Sequence, residues 1–291
     1  MKITLMARAK INWSIDVLGR REDGYHLLDM VMQSIGLWDV LTLESARADS
    51  FCVAGRPVPA NGDNLVLKAV ALMREASGVS EGVAAELTKT IPVAAGLGGG
   101  SADAAAALVG LNRLWKLKYN QEKLCELGGR LGADVPFMIR GGLCRARGVG
   151  DELMPLPGGG VFHLVLLKPR KGVSTRLSYG RLRLDRLGRR PRTEALVDAL
   201  KRGESRRIPE LWGNGLEPGS VELCPDILKA KAALVDAGAM GALMCGSGST
   251  VLGLFENGEQ ARKSAQELRK DWGFSRAVRT QSRGVTVMEE K

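Results

Sequence analysis

The chain has 291 residues, of which 45% are hydrophobic and 25% are charged, so it can bury a sizeable core. Five cysteines without CxxC spacing argue against a disulfide framework and a zinc site, and no run approaches the roughly 20 apolar residues of a membrane span. The net charge is +10, and about 100–200 residues per domain favour two domains. We expect a cytoplasmic protein, because the cysteines show no sign of pairing.

The positive charge is concentrated in one segment. Residues 168–207 contain 14 Lys and Arg and four acidic residues, so this segment carries +10 and the rest of the chain is neutral. Three interpretations remain open: a solvated surface, a surface that attracts a polyanionic small substrate, and a nucleic-acid-binding surface. The last of these predicts salt-sensitive binding.

The first 18 residues predict a β-strand. Apolar side chains alternate from Ile3 to Val17, and Lys10 and Asn12 fall together on the opposite face. A half-exposed strand and a site that uses both polar side chains are the two interpretations. The polar residues also interrupt any signal peptide.

A polar, glycine-bearing loop follows, and it contains Tyr25 and His26, one of three tyrosines and one of two histidines. Taken alone, they form an ordinary surface pair. β-Structure is expected over 27–43. An apolar stripe at helical spacing then predicts a helix that Asp63 caps and Gly78 ends.

The most distinctive stretch is a glycine-rich segment between an alternating strand at 83–89 and an alanine-rich helix at about 101–116. It is not a Walker loop, because no Lys occurs between Ile91 and Leu108, and Ser101 occupies the third glycine position of the dinucleotide fingerprint. A phosphate-binding loop and a tight structural turn remain as interpretations. Five consecutive small residues at a helix start favour phosphate binding.

An amphipathic helix leads to Asp134, a carboxylate between a Gly-Ala pair and an apolar segment, which is either a helix N-cap or a functional group. Loop-rich residues end at Pro157 and Gly158-Gly159-Gly160, so we expect domains over 1–157 and 158–291. The remaining predicted elements are helices at 121–131, 194–201, 225–237 and 260–272 and strands at 161–167, 239–244, 251–255 and 285–288.

Five motifs follow one another along the chain. They are Lys10-Ile11-Asn12, Asp23-Gly24-Tyr25-His26, Ile91-Pro92 with Gly96-Leu97-Gly98-Gly99-Gly100-Ser101-Ala102, Gly132-Ala133-Asp134-Val135-Pro136-Phe137, and Gly246-Ser247-Gly248. In this order the sequence resembles the GHMP small-molecule kinases, from about residue 7 to residue 256. The resemblance implies an α+β fold with a ribosomal-protein-S5-domain-2-like N-terminal domain, a ferredoxin-like C-terminal domain and an active site in the cleft between them.

The resemblance also implies roles for single residues. Lys10 and Asp134 match the catalytic lysine and the aspartate that accepts the hydroxyl proton. Substrate binding is implied for Asn12, Tyr25, His26 and Tyr179. Binding of the ATP phosphates is implied for Pro92, Gly96, Leu97, Gly98, Gly99, Gly100, Ser101 and Ala102. Ser101 is also implied as a ligand of Mg²⁺.

The Asp-Gly-Tyr-His and Gly-Ala-Asp-Val-Pro motifs narrow the resemblance to kinases that transfer the ATP γ-phosphoryl group to the 2-hydroxyl of a cytidine-diphosphate-linked methylerythritol. ATP and Mg²⁺ are the implied cofactors. We expect a small-molecule substrate, no obligate nucleic-acid partner, no membrane association, and a monomer or weak homodimer. The sequence departs from the family at Gly215, Cys245 and Ser249, which puts only the fine shape of the substrate pocket in question. Alternatives are a homoserine or mevalonate kinase, a nucleic-acid-binding protein using 168–207, and a catalytically inactive ligand sensor.

Overall fold

The computed structural model describes residues 1–158 and 160–291, so Gly159 of the predicted boundary lies outside the described residues. The strands are β1 (Lys2–Arg20), β2 (His26–Ala46), β3 (Ser50–Gly55), β4 (Gly82–Lys89), β5 (Leu143–Arg147), β6 (Glu152–Pro155), β7 (His163–Lys168), β8 (Gly213–Asn214), β9 (Gly241–Met244), β10 (Val251–Phe255), β11 (Phe274–Gln281) and β12 (Val285–Glu290). The α-helices are α1 (Leu65–Ser77), α2 (Gly99–Leu114), α3 (Gln121–Leu131), α4 (Val135–Arg140), α5 (Thr175–Gly180), α6 (Thr193–Arg202), α7 (Ile208–Leu211), α8 (Glu217–Leu223), α9 (Asp226–Asp236) and α10 (Gly258–Leu268). None of the described helices is long and apolar enough to cross a bilayer.

One sheet runs through the molecule. β1 and β2 pair antiparallel along most of their length, β12 adds to the other side of β1, and β4, β5 and β11 each pair with β2. β11 also pairs with β7, so the strand order is β12-β1-β2-β11-β7-β10-β9. The C-terminal strand thus lies beside the N-terminal one. The domain boundary at residues 157 and 158 stays a prediction.

Helix α2 packs closely on the centre of this sheet because its residues are small. The alternation predicted for β1 is confirmed, since Ile3, Leu5 and Ala7 are fully buried. A Cβ on Gly110 of α2 would lie 2.6 Å from Leu43 Cδ1 and 2.9 Å from Leu5 Cδ1. The glycine therefore allows the helix to approach both strands.

Several predicted elements are confirmed, with corrections at their ends. α3 spans the predicted residues, and Gly78 ends α1 in the left-handed conformation. The N-cap of α1 is Asn64 and not Asp63, because Asn64 Oδ1 accepts a hydrogen bond from Val66 N–H at 2.9 Å. α2 begins at Gly99, two residues before the predicted start.

Strands β3, β5, β6, β8 and β11 and helices α5, α7 and α8 were not predicted from the sequence. β6 lies in the segment interpreted as loop-rich, and β5 lies just before that segment and pairs with β2, for example Cys144 with Met32. A distant strand supplies the hydrogen bonds of β5, and such pairing is not visible in a local pattern.

Candidate active site

One cavity of about 850 Å³ brings the predicted site residues together. Its lining includes Lys10, Asn12, Tyr25, His26, Pro92, Gly96, Leu97, Gly98, Gly99, Gly100, Ser101, Asp134 and Tyr179. Ala102 requires a correction, because it is fully buried in α2 and its N–H donates to Gly98 O at 2.9 Å. The structure therefore places Ala102 in the core and leaves it no free group for a phosphate.

The loop between β4 and α2 turns at two glycines. Gly96 and Gly98 have φ angles of 73° and 69°, a left-handed conformation that glycine adopts without steric cost. The hydrogen bond from Ala102 N–H to Gly98 O is the first hydrogen bond of helix α2. The N–H groups of residues 99–101 precede that bond, so they lie at the helix N-terminus and beside the cavity. This arrangement suits an anion.

Lys10, Asn12 and Asp134 form a polar group in the cavity. Lys10 Nζ donates to Asn12 Oδ1 at 2.6 Å and lies 3.7 Å from Asp134 Oδ2. Lys10 and Asn12 are 5% and 1% exposed, so the half-exposed strand interpretation is wrong. The Asp134 side chain keeps 33% exposure, which leaves its carboxylate accessible to a molecule in the cavity.

Two contacts hold this polar group beside the glycine loop. Lys10 N–H donates to Leu97 O at 3.1 Å, so β1 is hydrogen bonded to the loop. A Cβ on Gly98 would lie 2.2 Å from Met138 Cε of α4 and 3.3 Å from Lys10 Cγ. Asp134 occupies the N-cap position of α4 but makes no side-chain cap bond, so its carboxylate is free to face Lys10.

A second glycine turn, at residues 245–250, supports the loop from the C-terminal half of the chain. A Cβ on Gly96 would lie 2.0 Å from Cys245 O, so the two turns are in direct contact. Asn214 Nδ2 donates to Met244 O at 2.9 Å and to Gly246 O at 2.8 Å, which fixes the turn. Burial raises the pKa of the Cys245 thiol to about 12, so this thiol is neutral. The unusual cysteine therefore acts as a small packing residue.

Aromatic residues line another part of the cavity. Tyr25 is 65% exposed in the turn between β1 and β2. The His26 ring lies 5.6 Å from the Tyr179 ring, measured between centroids. Burial and, to a smaller extent, the Asp134 carboxylate raise the pKa of Tyr179, and burial together with Arg20 lowers the pKa of His26. The ring of Tyr179 thus lies close to His26, and its hydroxyl lies within the electrostatic influence of Asp134.

One part of the cavity lining was not predicted from the sequence. Its residues come from the loop before α1 and from the start of that helix, and they include Val58, Pro59, Asn64 and Leu65. No local signal marks them, because apolar residues at a helix start serve equally well in a core. Within residues 1–158 and 160–291, no group of three or more His, Cys, Asp or Glu could hold a metal ion.

Family models match both halves of the chain. The model of the GHMP kinases N-terminal domain matches residues 64–142, and that of the GHMP kinases C-terminal domain matches residues 196–273. Together they cover more than half of the chain.

Curated relatives match almost the whole chain. A 4-diphosphocytidyl-2-C-methyl-D-erythritol kinase of Pelotomaculum thermopropionicum is 47% identical over 275 residues, which cover 93% of this chain and 95% of the relative. The kinase of the same name from Alkaliphilus metalliredigens is 42% identical, and the match covers 92% of this chain and 92% of that relative.

Solved structures agree with the relatives. A crystal structure of 4-(cytidine 5'-diphospho)-2C-methyl-D-erythritol kinase has a TM-score of 0.83 at 36% identity, covering 97% of this chain and 100% of that one. A homoserine kinase from Cytophaga hutchinsonii has a TM-score of 0.75 at 21% identity, which shows the fold alone. The predicted α+β, two-domain architecture is confirmed. The chain belongs to the GHMP kinase superfamily and, within it, to the family of 4-diphosphocytidyl-2-C-methyl-D-erythritol kinases.

Proposed function

We propose that this protein transfers the γ-phosphoryl group of ATP to the 2-hydroxyl of 4-diphosphocytidyl-2-C-methyl-D-erythritol, in non-mevalonate isoprenoid precursor biosynthesis. One observation carries the proposal. The Lys10 ammonium and the Asp134 carboxylate, 3.7 Å apart, line the same cavity as the N-terminus of α2. Phosphoryl transfer depends on positioning and on charge stabilisation, and this cavity offers groups for both.

Asp134 would act on the acceptor alcohol. Its carboxylate accepts the proton of the 2-hydroxyl while the hydroxyl oxygen bonds to the γ-phosphorus, and the bond from that phosphorus to the β–γ bridging oxygen breaks, releasing ADP. The Lys10 ammonium stabilises the negative charge that develops on the attacking oxygen. Asn12, held by its hydrogen bond from Lys10 Nζ, orients the same hydroxyl.

The glycine loop would bind the phosphates of the donor. The N–H groups of residues 99–101 lie at the helix N-terminus, where both the backbone donors and the helix dipole favour an anion. Mg²⁺, when bound, neutralises phosphate charge. Because Mg²⁺ is usually held by few protein oxygens, substrate phosphates and water, the Ser101 hydroxyl beside the loop fits as its protein ligand.

The two nucleoside bases would bind in different parts of the cavity. Val58, Pro59 and Leu65 offer an apolar surface for the base of ATP, close to the phosphate loop. Tyr25 and Tyr179 would pack against the cytosine ring of the acceptor, and His26, whose ring lies 5.6 Å from the Tyr179 ring, would bind the same base. Stacking on aromatic side chains contributes about 1–3 kcal/mol per base in nucleic-acid-binding proteins.

A substrate panel tests the proposal. Purified protein with ATP and Mg²⁺ is incubated separately with 4-diphosphocytidyl-2-C-methyl-D-erythritol, homoserine and mevalonate, and ³¹P NMR follows the products. We expect a new phosphomonoester only with the first compound. Phosphorylation of homoserine or mevalonate instead would move the protein elsewhere in the superfamily.

Nucleic-acid binding through 168–207 has weaker support. Many of the basic side chains in this segment contact acidic partners, among them Arg190 with Asp16 and Arg206 with Glu256. We expect no salt-sensitive affinity for duplex or single-stranded DNA beyond weak general attraction, measurable by fluorescence anisotropy.

Three further points belong to the proposal. The chain divides into domains over 1–157 and 158–291, the protein is located in the cytoplasm, and it is a monomer or a weak homodimer.

A further inference from the structure

Three buried ionisable residues next to the glycine loop have no part in the proposed reaction. Lys89 Nζ lies 2.5 Å from Asp39 Oδ2 and 2.6 Å from Asp103 Oδ2. The three residues, here called the ion cluster, are each 5% exposed or less. They come from three elements, since Asp39 lies in β2, Lys89 ends β4 and Asp103 follows the first turn of α2.

The ion cluster holds the chain where it enters the loop. Asp39 Oδ1 accepts hydrogen bonds from Thr90 N–H at 2.5 Å and from Ile91 N–H at 2.9 Å. The pairing of β2 with β4 ends at Val40 and Thr88. The carboxylate therefore takes over from the strand as hydrogen-bond partner at the point where the chain leaves the sheet.

The ion cluster also holds the chain where it leaves the loop. Asp103 lies one helical turn after Gly99, on the same face of α2, and binds the same ammonium. A Cβ on Gly99 would lie 3.2 Å from Lys89 Nζ and 3.0 Å from Ile91 Cγ2. The missing side chain at residue 99 leaves room for the ammonium beside α2. Both ends of the loop are thus attached to one charged group.

Stability alone does not account for the ion cluster. Removing charges from water costs free energy, and apolar replacements of buried ionic groups are often equally stable or more stable. Asp103 Oδ1 has no hydrogen-bond partner among the described residues. Burial raises the pKa of Asp103 well above its usual range, against the attraction of Lys89. Burial alone would lower the pKa of Lys89, but the carboxylates of Asp103 and Asp39 outweigh it and raise that pKa.

We propose that Asp39, Lys89 and Asp103 are positioning residues for the phosphoryl donor, because they set the distance between the two ends of the loop. That distance determines where the N–H groups of residues 99–101 point. Lys89 and Asp103 also line the cavity, so the ion cluster lies close to the bound phosphates. The inference rests on the proposed function, which places ATP at this loop. It assigns the effect to ATP binding and not to binding of the acceptor.

Two variants separate positioning from stability. Lys89→Met leaves two buried carboxylates without a counter-ion, so we expect a lower Tm and weaker ATP binding. The triple variant Asp39→Asn, Lys89→Met, Asp103→Leu removes every charge but keeps an oxygen acceptor at residue 39, so its Tm should recover. Isothermal titration calorimetry without acceptor measures ATP affinity, and we expect the triple variant to bind ATP about 10- to 100-fold more weakly than the parent. In separate steady-state kinetics, its KM for the acceptor should change by less than about threefold.

A milder pair of variants covers the case in which the triple variant does not fold. Asp103→Leu leaves the Lys89–Asp39 pair intact and is expected to weaken ATP binding by about tenfold. Asp103→Asn keeps an oxygen acceptor for Lys89 Nζ and is expected to restore parental affinity. Equal ATP affinity of Asp103→Leu and the parent protein would contradict the inference.

The control is an ion pair outside the cavity. Lys231 pairs with Glu217, and Lys231→Met is expected to lower Tm without changing ATP affinity. Recovery of ATP affinity together with Tm in the triple variant would refute positioning and leave the proposed function intact. A parent protein that binds no ATP would refute the proposed function and this inference with it.

Discussion

Two parts of the cavity are built in different ways: the glycine loop, here called the phosphate part, and the region around Tyr25, His26 and Tyr179, here called the nucleoside part. The phosphate part consists of backbone N–H groups on a loop that is hydrogen bonded to β1 and lies so close to α4 and to the turn at 245–250 that a Cβ on Gly98 or Gly96 would clash. The nucleoside part depends on side chains at a hairpin turn, where Tyr25 is 65% exposed. The glycine loop is therefore fixed by packing, whereas Tyr25 has little support from its neighbours, so in the proposed function we expect the ATP site to be the more rigid of the two.

The largest effect is expected at the polar group that joins the two parts. Asp134→Asn removes the proton acceptor, so kcat should fall by about 10²–10⁴-fold with an unchanged circular dichroism spectrum. Lys10→Ala should reduce kcat similarly, because it removes the charge beside the attacking oxygen. Steady-state kinetics under saturating ATP and acceptor measure both changes. Parental turnover in either folded variant would exclude that residue from the chemistry.

The next effect tests whether the phosphate part is fixed by packing. Gly98→Ala places a Cβ 2.2 Å from Met138 Cε and 3.3 Å from Lys10 Cγ at a φ of 69°, so the loop must shift. We expect KM for ATP to rise by about tenfold or more.

Gly129→Ala is the matched control for this substitution. Its Cβ would meet nothing within 4 Å in the interior of α3, so Ala should raise the free energy of unfolding by about 0.5–1 kcal/mol and leave KM unchanged. Normal ATP kinetics in Gly98→Ala would show that the loop tolerates displacement.

A smaller and more selective effect is expected in the nucleoside part. Tyr25→Ala removes an exposed aromatic surface and should weaken acceptor binding by about 1–3 kcal/mol, seen as a higher acceptor KM with an unchanged KM for ATP. Tyr119→Ala serves as control, since Tyr119 donates to Ala76 O away from the cavity and should affect only Tm. Equal changes in the KM for the acceptor and the KM for ATP in Tyr25→Ala would show that the nucleoside part and the phosphate part do not act separately.

The smallest effect concerns pH. Burial and Arg20 lower the pKa of His26, so the unfolded chain takes up this proton first as the pH falls. The contribution of His26 to stability is therefore complete above about pH 6.5 and is lost below it. We expect the Tm of His26→Asn to vary less between about pH 7 and about pH 5 than the Tm of the parent. Identical slopes in differential scanning calorimetry would contradict this assignment.

The sequence predicted well where one segment contains its own signal. The alternation in β1, the helical stripe of α1 and the glycine-rich start of α2 depend on neighbouring residues, and each element is observed. The sequence predicted less where an element depends on hydrogen-bond partners that are distant in the chain or on the exact geometry of a turn. β5 depends on β2, and the choice of Asn64 over Asp63 as N-cap depends on which oxygen reaches Val66 N–H.

By itself, the sequence determined that the chain has a glycine-rich loop at a helix start and motifs typical of GHMP kinases, and from these it predicted phosphate binding. Those signals are local, because backbone donors at a helix N-terminus arise from adjacent residues. The resemblance predicted that Lys10 lies beside Asp134, and the structure places the two charged groups 3.7 Å apart. Only the tertiary structure decided that Asp39 and Asp103 share the Lys89 ammonium and that Ala102 is buried. These contacts join residues far apart in the chain, and packing of β1, β2 and α2 brings them together.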